Sequence, residues 1–142
     1  MLTDQEFESI LADESKLIEG DLRWHQDRRL SHIFVFWATV QSDAAWPLKV
    51  RGRLNVEGAK LAYMLLHEPS GCIVRLELGK VKHRNPSAEW LIGTHKHRWS
   101  EQFRDKQAYV PDDITYAWDK PRQVWIQFCD EIGVSHLGNL RK

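Results

Sequence analysis

No stretch of this chain approaches the roughly 18 uninterrupted apolar residues of a membrane-spanning helix. Its opening, "MLTDQEFESI", is acidic where a secretory leader is basic and then apolar. The expectation is a cytoplasmic protein with no membrane partner. Cysteine is scarce: Cys72 lies in an apolar strand-like run and Cys129 in a helix-like one, without C-x-x-C spacing, so both read as reduced core thiols. Net charge is also missing, with 20 basic and 20 acidic residues, so only the distribution of charge can be informative. There is no internal repeat, low-complexity tract or linker, and two cores in 142 residues would each be marginal. The chain reads as a single domain, 1–142.

What is present is uneven. Residues 1–21 hold Asp4, Glu6, Glu8, Asp13, Glu14, Glu19 and Asp21 against Lys16 alone. Residues 80–106 hold Lys80, Lys82, Arg84, Lys96, Arg98, Arg104 and Lys106 against Glu89, Glu101 and Asp105. The basic segment suits an anionic partner, although two segments of opposite sign can also simply pack together.

Thr3 and Glu6 have capping-box spacing, and Phe7, Ile10 and Leu11 recur at helical intervals, which predicts a short helix over 4–12. Residues 32–40, rich in Val, Ile, Phe and Trp, predict a central strand, and "RGRLNVEG" a further strand with Leu54 and Val56 on one face. "KLAYMLLHE" and "GCIVRLELG" read as a hairpin closed by "EPSG". In its second arm Ile73, Arg75 and Glu77 share one face, and Val74, Leu76 and Leu78 the other. A helix is predicted over 119–132, with Asp119 as cap, Pro121 in the first turn, Gly133 as the stop, and Val124, Trp125, Phe128, Cys129 and Ile132 on the apolar side. The fold class is therefore α+β: a curved antiparallel sheet with a short N-terminal helix and a C-terminal helix. Trp24, Trp37, Trp118 and Trp125 read as core aromatics, whereas Trp46, Trp90 and Trp99 fall near turns or the basic segment.

The chemistry concentrates in "LIGTHKHRWSEQF". On a strand, His95 and His97 point to one face with Trp99, and Thr94, Lys96 and Arg98 to the other. As metal ligands the two imidazoles would need a third donor from His83 or Glu77. As acid and base they would cleave RNA through its 2′-hydroxyl without metal or cofactor, supported by Glu77 and His83, with Arg98 on the phosphate and Arg84 or Lys82 nearby. The plain structural alternative is that they are satisfied, partly buried rings. No recognised RNA-binding motif accompanies them.

The residues Arg75, Leu76, Glu77, Gly79, His83, Asn85, Pro86, His95, His97 and Trp99, followed by Lys106 and Ala108, carry a resemblance. The run resembles a family of small bacterial and phage proteins with no assigned activity, in which an R-L-[DE] strand precedes a glycine, then H-x-N-P, then H-x-H-x-aromatic. Glu77 and "SAE" stand where such relatives tend to carry Asp and an acidic or glycine residue. The resemblance implies that the histidine cluster is the family's signature, in a mobile-element, defence or counter-defence setting. The expectation is a nucleic-acid-directed protein, a metal-independent ribonuclease acting on RNA or another single strand. The alternatives are a non-catalytic inhibitor that binds a host protein complex, and a metal-binding domain.

Overall fold

The computed structural model describes residues 1–142. Helix α1 (Asp4–Ala12) starts where predicted: Glu6 N–H donates to the Thr3 hydroxyl at 3.0 Å and Thr3 N–H to the Glu6 carboxylate at 3.1 Å. Three short strands follow, β1 (Leu17–Glu19), β2 (Leu22–Arg23) and β3 (His25–Gln26). The body of the fold is then four long antiparallel strands, β4 (Ile33–Val40), β5 (Leu48–Asn55), β6 (Lys60–His67) and β7 (Gly71–Gly79). A small hairpin, β8 (Lys82–Arg84) with β9 (Trp90–Ile92), leads to β10 (His95–Arg98) and β11 (Ala108–Tyr109). Helix α2 (Pro121–Ile132) and the strands β12 (Ser135–Leu137) and β13 (Leu140–Arg141) close the chain.

The main sheet has seven strands in the order β11-β10-β7-β6-β5-β4-β3, every pairing antiparallel. With the two helices this is the expected α+β class. One face packs inward through Phe36, Val40, Val50, Leu61, Tyr63, Leu65, Leu76 and Leu78. Helix α2 covers that face with Val124, Trp125, Phe128 and Ile132, the ring of Phe128 stacking on Tyr63 at 5.7 Å, and the Tyr63 hydroxyl donates to the Pro121 carbonyl. The apolar stripe of α2 is the one its spacing predicts.

Several expectations are corrected. The 33–40 strand is not central; only the two-residue β3 lies outside it. Strand β5 starts at Leu48, and Val56 lies in the following turn, 47% exposed. Asp119 does not cap α2: Lys120 occupies the cap position with no side-chain hydrogen bond, while Pro121 and the left-handed Gly133 act as expected. Ile73 turns inward beside Val74 because the β6–β7 register shifts at Leu65/Leu66, leaving Ile73 as the extra residue. Trp37 is 60% exposed, on the face away from Phe36. The opposite-sign segments do pack together: Arg98 reaches Glu8 at 3.7 Å, Glu101 N–H donates to Asp4, and the Trp99 indole donates to the Leu2 carbonyl.

Candidate functional site

In an antiparallel ladder, directly opposed residues project from the same face. Strand β10 pairs with β7 so that His95 opposes Glu77 and His97 opposes Arg75. Two charged positions on one strand thus meet two histidines on the next, on the side of the sheet away from α2. Lys96 and Arg98 oppose Leu76 and Val74 and belong to the inward side.

The hairpin β8–β9 adds the third imidazole. Asn85, 3% exposed, donates its amide to the Ala108 carbonyl at 2.9 Å and accepts from the Ala108 N–H at 2.8 Å, fastening the end of β8 to β11. That anchor lays the half-buried His83 against the pair, its ring 4.4 Å from that of His97 and 5.7 Å from that of His95. His95 and His97 are 5.1 Å apart, centroid to centroid.

Hydrogen bonding fixes the tautomers. Nδ1 of His95 faces the Gly93 carbonyl at 2.8 Å and Nδ1 of His97 the Asp105 carbonyl at 2.8 Å. A carbonyl only accepts, so both Nδ1 atoms carry the proton and, in the neutral rings, both Nε2 atoms hold lone pairs. Each Nε2 is buried and without a hydrogen bond. Nε2 of His95 stands 3.0 Å from a Glu77 oxygen, an ion pair when the ring is protonated. The donor atoms of Glu77, His95 and His97 all lie within 4.8 Å of one another. Adjacent ligand atoms around an ion bonded at about 2.1 Å are about 3.0–3.4 Å apart, so the most widely spaced of these atoms would have to close by about 1.4–1.8 Å. His83 is not one of these three, although its Nε2 donates to the Lys106 carbonyl at 2.7 Å and so leaves its Nδ1 free as well. Of the two candidate third ligands, Glu77 is the one that lies within 4.8 Å of both histidines.

The two imidazoles are shifted in opposite directions. Burial pushes the His97 imidazole down to about 4, and neighbouring His83, His95 and Arg75 add to the effect of burial while the Asp105 carbonyl opposes it. Burial also works against a charge on His95, but the Glu77 carboxylate and the Gly93 carbonyl outweigh it and hold His95 above its ordinary value. Glu77 in turn is held below the usual carboxylate range, chiefly by His95.

Arg98 does not reach this cluster; its guanidinium lies 3.7 Å from Glu8 and over the Phe7 ring. The adjacent cation is Arg75, which contacts Asp105 at 3.3 Å and Glu77 at 3.8 Å and keeps a buried, unpartnered Nε. Lys96 is no free cation either: it is 1% exposed and bound to Asp113 and Glu131 at 2.8 and 3.2 Å. Trp99 leaves the histidines and joins the core. Sequence reasoning gave no role to Asp105, Gly93 or Asn85. Asp105 and Gly93 act through backbone carbonyls, which leave no signature in residue type, whereas Asn85 was marked by the H-x-N-P motif.

A family model matches residues 2–134. The chain belongs to that family, the family of unknown function DUF6978. The match spans every residue of the cluster and its supports. No curated protein and no solved structure matches the chain.

Proposed function

We propose that this DUF6978 protein, of bacterial or phage origin, is a metal-dependent hydrolase directed to nucleic acid, with Glu77, His95 and His97 as ligands of one divalent transition ion. The observation that carries the reading is the pair of buried Nε2 atoms without a hydrogen bond in a cluster with the Glu77 carboxylate, each ring braced through Nδ1 by a backbone carbonyl. Metal-ligating histidines are oriented in this way, and a buried acceptor with no donor is costly unless a cation meets it. Two imidazoles and one carboxylate suit zinc, iron or manganese and leave positions open.

An ion held there would act as a Lewis acid toward a phosphoryl oxygen. Arg75, on the same face and beside Glu77, offers a guanidinium to the phosphate. In hydrolysis a water oxygen bonds to phosphorus, the phosphorus–oxygen bond to the leaving alcohol breaks, and the proton lost by water is matched by one gained by the leaving oxygen. His83, half-buried and with Nδ1 still an acceptor, is placed to carry that proton.

A second reading is supported by the opposite pKa shifts of His95 and His97, which suit an acid and a base working without an ion. The deciding experiment is cleavage of end-labelled single-stranded RNA and DNA by the metal-stripped protein in EDTA and after addition of Mn2+ or Zn2+, with metal content measured in parallel. We expect one ion per chain, cleavage only with metal, and loss of both in Glu77→Gln at unchanged circular dichroism. Cleavage that persists in EDTA transfers the role to the metal-independent pair. Metal-free protein that cleaves nothing leaves the non-catalytic interaction protein.

A further inference from the structure

We propose that the open face of the main sheet is a binding surface for single-stranded nucleic acid that leads the strand to the Glu77–His95–His97 centre. The substrate class rests on the reading of that centre as nucleic-acid-directed; the surface itself follows from register and charge.

Across four pairings, Trp37 opposes Arg51, Arg51 opposes Met64, Met64 opposes Arg75, and Arg75 opposes His97. One row of side chains therefore runs over five strands on the face away from α2 and ends in the cluster. The next row is Val35, Arg53, Ala62, Glu77 and His95. With strands about 4.8 Å apart, each row is about 19 Å long. Neither helix packs on it: Trp37 and Arg53 are exposed, Arg51, Met64, Arg75 and Ala62 are only partly buried, and the face closes only at its His95–His97 end, where His83 of hairpin β8–β9 lies against the two buried rings.

The face is chemically one-sided. Arg51, Arg53 and Lys60 have no carboxylate within ion-pair distance. Of the acids near this side, Glu77 is at the centre, Asp105 lies with Arg75 and Glu68 with Lys49 at 3.1 Å, while Asp27, beyond ion-pair distance, still feels the charge of Arg53. Arg51 lies over the Trp37 ring at 4.9 Å with its Nε buried and unpartnered, as Nε of Arg75 is. A guanidinium laid on an aromatic ring and paired with no carboxylate offers a base a stacking plane and its phosphate a charge-assisted hydrogen bond. The hairpin repeats the device. Lys82 and Arg84 sit over the exposed Trp90 at 5.3 and 5.8 Å, on the side of β8 away from His83. Unpaired bases can lie on a flat sheet with aromatic and guanidinium planes, whereas the bases of a duplex are already stacked and closed to it.

The test is anisotropy of fluorophore-labelled oligonucleotides, single-stranded RNA, single-stranded DNA and DNA duplex, titrated in EDTA over a series of salt concentrations. Measuring without metal keeps this outcome separate from the centre's chemistry. The expected result is single-strand binding favoured over duplex, weakened about tenfold by Trp37→Ala and more by Arg51→Ala with Arg53→Ala. The double variant should also make the salt slope shallower by about 2 and keep the wild-type metal content. Ile126→Ala, on the exposed side of α2, is the control and should bind as wild type does. Failure of the wild type to bind a single strand, equal binding of duplex, or full affinity in the Trp37 and Arg51/Arg53 variants overturns the proposal. Binding without any metal-dependent cleavage overturns the hydrolase reading and leaves the surface standing.

Discussion

Lys16 is fully buried, yet its ammonium is not wasted: it donates to the carbonyls of Ile10, Leu11 and Asp13 and so satisfies the C-terminal end of α1, the pole at which a cation is favoured. Lys96 shows the same economy on the inward side of β10, where Asp113 and Glu131 take its charge. Both lysines look in the sequence like surface cations, and only their partners, drawn from distant positions or from backbone, reveal otherwise. Of the two cysteines expected in the core, Cys129 is there, where the apolar stripe of α2 implied burial, whereas Cys72 is only partly buried; they are not bonded to one another. Burial pushes the Cys129 thiol up to about 12 from its ordinary 9. The folded pKa lies above the unfolded one, so this thiol's contribution to stability is complete below pH 9. It falls as pH rises above 9, where the unfolded chain ionises and the folded chain does not. We expect urea unfolding to show about 1 kcal/mol of loss by pH 10 in excess of that seen in Cys129→Ala, and no reaction of the native Cys129 thiol with a disulfide reagent at pH 8.

At the scale of elements, β5 shows how one residue sets a packing. Gly52 sits opposite both Phe36 and Tyr63, and the Phe36 ring occupies the place a Cβ at position 52 would take. The ring then meets Trp24 edge-on at 4.8 Å and Trp125 at 5.3 Å, joining the sheet to α2. Gly52→Ala should therefore displace Phe36 and destabilise the fold by about 1–3 kcal/mol, in the range of overpacked cores. Thermal unfolding followed by near-ultraviolet circular dichroism would show it, and an unchanged melting temperature would contradict this account. The sequence suggested no such role, since a lone glycine in a strand pattern signals a close approach without naming what approaches. Helix α1 and hairpin β6–β7 were readable for the opposite reason: a capping box and a Pro-Gly turn act within a few residues.

Across the whole molecule, the strands beyond the family match tie the two ends together. Strand β12 pairs in parallel with β1, and β13 with β2, while Leu140 is buried and Asp21 binds Arg141 at 2.6 Å. Deleting residues 135–142 should lower the melting temperature by about 5 °C or more, because it exposes the β1 and β2 edges and removes the buried Leu140 side chain. A melting curve unchanged by the deletion would mean these strands are dispensable. Nothing in "SHLGNLRK" foretold the pairing, whose partners lie more than a hundred residues away. The sequence by itself determined the α+β class, the apolar stripe of α2 and the face shared by His95 and His97, because those follow from periodicity within one element. The tertiary structure alone decided that Glu77 lies within 4.8 Å of His95 and His97, that Arg75 and not Arg98 stands beside them, and that Trp37 and Arg51 lie in the same row as His97. Each of those facts depends on register between strands, and register is fixed by packing over the whole sheet.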